Sequence, residues 1–274
     1  MNRRVTKYIF EEHVKIGDSF NYIATPINKI LYHRKSRYQD ILVAETPFGR
    51  TLFLDNILQF TEYDYEIYHK ALIIPSFKKE FNNILILGGG DLLAAQEIID
   101  INPHAKISIV DIDPAVTRVV KKYFNHLFRY DFRRLKNIKL INQDAYEYIL
   151  SSNEVYHYIV NDLTDLREMD RPGSQVNRFY QKDFLEIVRG KLSDDGVAVY
   201  HLELYPVEEN NILKFIDYAE SVFEYIEPYL VYIPSFGGLW TFTVLSSNRI
   251  KIKENIELSR DNRIIKIISL RKFY

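Results

Sequence analysis

The 274-residue chain contains no cysteine. Disulfides and thiolate metal sites are therefore excluded. Neither sign of charge dominates: 36 basic residues face 37 acidic ones, for a formal net charge of -1. Such a balance gives no reason to expect nucleic acid or an anionic membrane as partner. No apolar run approaches the roughly 20 residues needed to span a bilayer. The first fifteen residues are polar and mixed in charge, without the apolar core of a signal peptide. The seven histidines lack metal-ligand spacing, since none stands four residues from another on a plausible helix, so no metal is expected. Internal repeats and low-complexity segments are also absent. A cytoplasmic protein is the expectation.

Hydrophobic residues make up 47% of the chain, enough for one large α/β core with a small added domain. Residues 20 to about 60 read as short strands, Phe20–Thr25, Ile27–His33, Asp40–Thr46 and Arg50–Leu54. Pro26, Pro47-Phe48-Gly49 and Asp55-Asn56 punctuate them as turns. Asp64–Leu72 reads as a helix closed by Pro75. After Asn82 the pattern changes to continuous apolar strands alternating with helices. The strands are Ile84–Leu87, Ile107–Ile112, Lys139–Asn142, Tyr156–Asn161 and Val197–Leu202; the helices include Leu92–Ile99, Ala115–Tyr123, Arg178–Leu192 and Glu208–Val222. Apolar strands of this kind are buried on both faces and predict a parallel, doubly wound sheet. Tyr229–Ile233 and Leu239–Leu245 read as a closing hairpin pair. The expected organisation is a small N-terminal antiparallel β domain over residues 1–62 and a Rossmann-like, methyltransferase-type α/β domain over 63–274. The tail from Asn255 is basic and amphipathic and receives no chemistry.

Strand Ile84–Leu87 runs directly into Gly88-Gly89-Gly90-Asp91 and a helix. Glycines there let backbone approach a ligand closely. The second strand ends at Asp111, about 20 residues on, where such folds place the acid that grips ribose hydroxyls. The third ends near Gln143-Asp144-Ala145, and Asp144 could accept a hydrogen bond from an adenine amino group. Leu93 stands where the dinucleotide fingerprint wants its last glycine, and residues 88 to 97 hold no Lys or Arg for a phosphate. An adenosyl-sulfonium ligand fits this turn better than a pyrophosphate. A tight strand-to-helix connection without a ligand is the bland alternative.

The strand Tyr156–Asn161 ends in Asp162-Leu163-Thr164-Asp165, two carboxylates three apart at the mouth of the same cleft. Alkyl transfer from a sulfonium to an amine needs the amine held in line, deprotonated, and its other nitrogens neutralised. Carboxylates can do the last two. An exposed turn after a strand is the competing reading.

Several segments, in order and over roughly residues 36 to 247, resemble the polyamine aminopropyltransferase (spermidine/spermine synthase) family. They are Leu54–Glu62 with Asp64 and Tyr68-His69, the triple glycine of Ile84–Asp91, Val110–Asp113, Ile159–Asp165 and Ile233–Trp240. The resemblance implies an aminopropyl transfer from decarboxylated S-adenosylmethionine, a co-substrate rather than a cofactor, to a polyamine acceptor such as putrescine, agmatine or spermidine. 5′-Methylthioadenosine would be released. It implies Asp162 as general base and Asp165 as anchor of the acceptor's far amine. Tyr68 and Gln59 would position the amine and the aminopropyl chain, and Gln39 would contact the nucleoside. Asp91 would bind the donor's amine, Asp111 the ribose and Asp144 the adenine. His69, Phe236 and Trp240 join the implied substrate site, and 166–177 would be a loop closing over it. A homodimer or homotetramer is implied.

The family pattern is not kept throughout. Leu92 and Leu93 replace two glycines, Gln96 an arginine, Asp111 a frequent Glu, and Leu166 the proline after the second Asp. An S-adenosylmethionine-dependent methyltransferase would share the sheet, glycine turn and Asp111, but gives the N-terminal strands and the Asp162/Asp165 pair no place. A non-catalytic homologue acting as a binding subunit is the second alternative, supported by Leu92-Leu93 alone. His201, beside Glu203 on a buried-type strand, reads as a satisfied core group or as polar lining of the acceptor pocket.

Overall fold

The structure, a computed structural model, describes residues 7–16, 19–163, 177–259 and 263–272. A two-stranded antiparallel ribbon, β1 (Lys7–Ile16) and β2 (Ser19–Ile27), comes first. A four-stranded antiparallel meander follows, of β3 (Lys29–Lys35), β4 (Asp40–Thr46), β5 (Gly49–Leu54) and β6 (Ile57–Thr61). Helix α1 (Tyr65–Ile73) leads into the large unit. There β7 (Asn83–Gly88), α2 (Leu93–Ile101), β8 (Lys106–Val110), α3 (Pro114–Tyr123), β9 (Ile138–Ile141), α4 (Ala145–Ser151) and β10 (Tyr156–Asp162) alternate. After α5 (Lys182–Lys191) come β11 (Leu192–Tyr205), α6 (Glu209–Glu220), β12 (Tyr225–Ile233) and β13 (Gly238–Ser246). The tail forms β14 (Asn255–Glu257), β15 (Ile264–Lys266) and β16 (Ile268–Ser269). No helix among the described residues is long and apolar enough to cross a membrane.

The eight-stranded sheet runs β16-β12-β13-β11-β10-β7-β8-β9. Strands β11, β10, β7, β8 and β9 are parallel, and β13, β12 and β16 add antiparallel to one side. The apolar run of β7 is explained by burial on both faces. Ile84 and Ile86 enter one core cluster, Leu85 and Leu87 the other. The meander docks through Ile41, Val43 and Leu52 onto Val116, Val119 and Val120 of α3. The chain leaves β7 towards β8 and β9, then returns to place β10 on β7's other side. That reversal opens a crevice beyond the carboxyl ends of the strands.

Three sequence expectations are corrected. Pro26 is not a turn but lies within β2, opposite Tyr8, in a two-stranded ribbon where proline costs little because each strand is an edge. The strand read as Ile27–His33 breaks at Asn28, whose N–H donates to the Glu45 carbonyl as β3 begins. The helix read as Arg178–Leu192 is a 3₁₀ turn, Asn177–Tyr180, then α5.

Candidate active site

The crevice is a cavity of about 470 Å³. Three strand ends shape it. In the β7–β10 register Asp162 lies opposite Gly88, and a Cβ on Gly88 would stand 2.0 Å from the Asp162 carbonyl oxygen. A Cβ on Gly90 would meet the Asp111 carboxylate at 2.4 Å. The glycine turn thus lets the Asp162 backbone and the Asp111 carboxylate close in. Asp111 accepts the N–H of Gly90 at 2.9 Å and of Asp113 at 2.8 Å. Burial, together with the nearby charges of Asp113 and Asp91, outweighs these bonds and raises its pKa to about 6.

At the centre stands a cation-seeking cluster. Tyr68 donates its hydroxyl to Asp162 at 3.0 Å. Its neighbour on α1, His69, donates from Nδ1 to the Tyr65 carbonyl at 2.6 Å, which turns Nε2 to the Asp91 carboxylate at 3.3 Å. Burial opposes a charge on His69. The carboxylates of Asp91 and Asp162 and the Tyr65 carbonyl prevail, and its pKa rises to about 9. Burial and the Asp91 charge raise Asp162, against the pull of His69, His201 and the Tyr68 hydroxyl. One donor atom each of His69, Asp91 and Asp162 lies within 4.8 Å of the others. Histidine spacing along the chain could not reveal this trio, because three separate elements supply it.

Ten of the expected site residues line this cavity. Gln39, Gln59, His69, Asp91, Asp111 and Asp144 are among them. Tyr68, Asp162, Phe236 and Trp240 complete the set. Asp165 and the expected closing loop lie outside the described residues, save Asn177. Gln39 does not stand free: its amide donates to Asp113, as does the Ser36 hydroxyl at 2.6 Å. Asp113 also caps α3 through the N–H of Ala115 and so ties the small sheet to the crevice. Asp144 caps α4 through the N–H of Tyr146 and pairs with Arg178 at 2.5 Å.

Leu92 and Leu93 leave the cavity unobstructed. Leu92 takes a left-handed conformation, φ 72°, and both side chains are buried in the core. Gln96 is equally buried, bonding Leu127 and Arg129 backbone. His201 is both buried and part of the cavity lining: Nε2 donates to the Leu163 carbonyl at 2.6 Å, and the ring stacks on Trp240. Sequence reading missed Arg178, Phe179 and Tyr38 as lining residues. An acidic partner at the start of α4 was the signal available for Arg178.

A mixed, largely parallel α/β sheet with a glycine turn at its switch point, and carboxylates gathered there around an imidazole, defines a methyltransferase-like fold with a site at the strand ends. The comparisons narrow the class. Residues 62–255 match the spermine/spermidine synthase domain, and residues 13–62 match the spermidine synthase tetramerisation domain. The polyamine aminopropyltransferase of Sulfurisphaera tokodaii is 31% identical over 94% of this chain and 84% of its own. Polyamine aminopropyltransferase 1 of Hyperthermus butylicus is 32% identical over 84% and 78%. In fold, a spermidine synthase crystallised with the transition-state analogue AdoDATO superposes with a TM-score of 0.80 at 21% identity, over 92% of this chain and 85% of that one. The spermidine synthase of Thermotoga maritima gives 0.76, also at 21%, over 90% and 81%. The chain belongs to the spermine/spermidine synthase family and is a transferase of the polyamine aminopropyltransferase kind.

Proposed function

We propose that the enzyme moves the aminopropyl group of decarboxylated S-adenosylmethionine onto a primary amine of a polyamine and releases 5′-methylthioadenosine. The observation that carries this reading is the meeting of Tyr68, His69, Asp91 and Asp162 in one cavity with Asp111 and Asp144. An ammonium is the natural occupant of a seat with two carboxylates, and it can take the place of the proton that His69 otherwise holds. Asp162 takes the proton from the attacking nitrogen. That nitrogen forms a bond to the aminopropyl carbon as the carbon–sulfur bond breaks, and the electron pair neutralises the sulfonium. Asp91 holds the donor's amine, Asp111 the ribose and Asp144 the adenine. Gln59 positions the aminopropyl chain and Gln39 supports the nucleoside end. The rings of Tyr68, Phe236 and Trp240, each pair 4.6–5.7 Å apart where they touch, offer faces to the acceptor's methylenes and ammonium. Asp165 is assigned the far amine from sequence alone.

We assign residues 13–62 to assembly into a homodimer or homotetramer. The test of the activity is a mass-resolved product assay with decarboxylated donor and putrescine, agmatine or spermidine. Stoichiometric 5′-methylthioadenosine and an aminopropylated amine are expected. Transfer of a methyl group, or no product with any amine, would refute the reading.

A further inference from the structure

At the nucleoside end of the cavity an acceptor and a donor are held side by side. Asp144 uses one oxygen, Oδ1, for the N–H groups of Tyr146 and Glu147 at the start of α4, at 2.9 and 3.4 Å. Its other oxygen, Oδ2, accepts from Arg178 Nη2 at 2.5 Å. A carboxylate oxygen has two lone pairs, so Oδ2 keeps one acceptor position. The guanidinium is fixed in place by ring faces, 4.7 Å from the Tyr146 centroid and 5.0 Å from that of Phe179. Its Nε is buried, while the side chain as a whole stays 30% exposed and leaves the outer nitrogens to face a ligand. Both side chains line the cavity.

A rigid acceptor beside a rigid planar donor matches one edge of adenine. The exocyclic amino group donates, and a ring nitrogen next to it, N1 on one side or N7 on the other, accepts. Hypoxanthine carries an oxo acceptor where adenine has the amino donor. A carboxylate alone would read only the amino group and tolerate loss of a ring nitrogen. A guanidinium packed against two rings does not, because a charged donor deprived of its acceptor loses a charge-assisted hydrogen bond. Lysine would not substitute, since it lacks the planar fork.

We propose that Arg178 is a base-specificity residue: it donates to a ring nitrogen of the adenine whose amino group Asp144 receives. This rests on the adenosine-donor reading above. The competing role is purely electrostatic, with Arg178 masking the Asp144 charge until a nucleoside displaces it.

Calorimetric titration of the full chain with 5′-methylthioadenosine and its 1-deaza, 7-deaza and 6-oxo analogues decides between them. The wild type should bind the parent best and lose about ten- to hundredfold with one deaza analogue, the one that removes the nitrogen Arg178 addresses, while the other is little changed. Arg178→Met should bind the parent and both deaza analogues alike, at the weaker level, and Arg178→Lys should not restore the discrimination. The 6-oxo analogue should bind weakly to all three proteins. Equal affinity of the wild type for the parent and both deaza analogues overturns the proposal without need of any variant. Tighter parent binding by Arg178→Met overturns it in favour of masking. Failure of the wild type to bind 5′-methylthioadenosine at all overturns the donor reading and this proposal with it.

Discussion

The Tyr68 hydroxyl sits 3.0 Å from Oδ1 of Asp162, joining residues 94 apart in the chain. The bond favours the ionised carboxylate, the form a general base requires. Asp162→Asn keeps volume but removes the base. Turnover should fall by about two to four powers of ten, with 5′-methylthioadenosine affinity unchanged. Tyr68→Phe should cost roughly ten- to a hundredfold, since one hydrogen bond to the ionised carboxylate is lost. It should also move the acidic limb of kcat/KM to higher pH, because Asp162 then holds its proton more tightly. Steady-state pH profiles of both variants check this. Near-normal turnover of Asp162→Asn would transfer the base role elsewhere.

Much of the site was legible because apolar strands announce their own ends. Ile84–Leu87, Ile107–Ile112 and Tyr156–Asn161 are too apolar to be exposed, and whatever follows them must gather at one sheet edge. Asp91, Asp111 and Asp162 were readable on that ground. Contacts between distant elements were not. Nothing in Ser36 or Gln39 announces Asp113, and Asp144 signals only that some cation could pair with it, not that it is Arg178. Nor does anything near Lys70 announce its partners, which are 187 and 189 residues away. Pro26 misled because edge strands tolerate a residue that turns favour.

His69 should link stability to pH. Its folded pKa of about 9 exceeds the unfolded value of 6.5. The contribution is therefore complete below about pH 6.5 and lost as pH rises through about 9. A shift of this size is worth about 3 kcal/mol. Urea unfolding of wild type and His69→Gln should differ most near pH 6 and converge by about pH 10. A constant difference would mean that His69 is not charged in the folded protein.

Donor affinity should carry a separate acid limb. A ribose hydroxyl donates best to an ionised carboxylate, and Asp111 is protonated below about pH 6. The Kd of 5′-methylthioadenosine should weaken as pH falls through that value, by up to about tenfold per unit. Asp111→Asn should bind weakly with no such limb. Retention of the limb in that variant would assign it to another group.

The tail is a structural strap on the helix that carries Tyr68 and His69. Lys70 Nζ donates to Glu66 at 2.9 Å and to the Glu257 carbonyl and Ser259 hydroxyl at 2.8 Å, and the Ser259 N–H donates to Glu66 at 2.6 Å. Both charged side chains are buried. Lys70→Met leaves Glu66 with the Ser259 N–H but without its counter-ion and should cost about 3–5 kcal/mol. The double variant Glu66→Met/Lys70→Met should recover much of that. Equal loss in both proteins would show that the pair's charges are not coupled.

Leu92 sets two effects against each other at one position. Its left-handed backbone costs a side-chain-bearing residue roughly 1–2 kcal/mol. Its side chain, 2% exposed, lies in the same apolar cluster as Ile67, Ala94 and Ala95, and removing a buried leucine costs about 2–5 kcal/mol. Burial wins, which is why leucine is tolerated at a left-handed position. Leu92→Ala loses the burial and keeps the strain. Leu92→Gly loses slightly more side chain but relieves the strain, at a small cost in unfolded-chain entropy. Both variants should be less stable than wild type, and glycine should be the milder by about 1 kcal/mol, reversing the usual order of Ala over Gly. Parallel denaturant unfolding of the three proteins measures the difference. Greater stability of Leu92→Ala than of Leu92→Gly would mean that the strained backbone relaxes when the side chain is cut back, and that the turn into α2 is not held by the glycines before it.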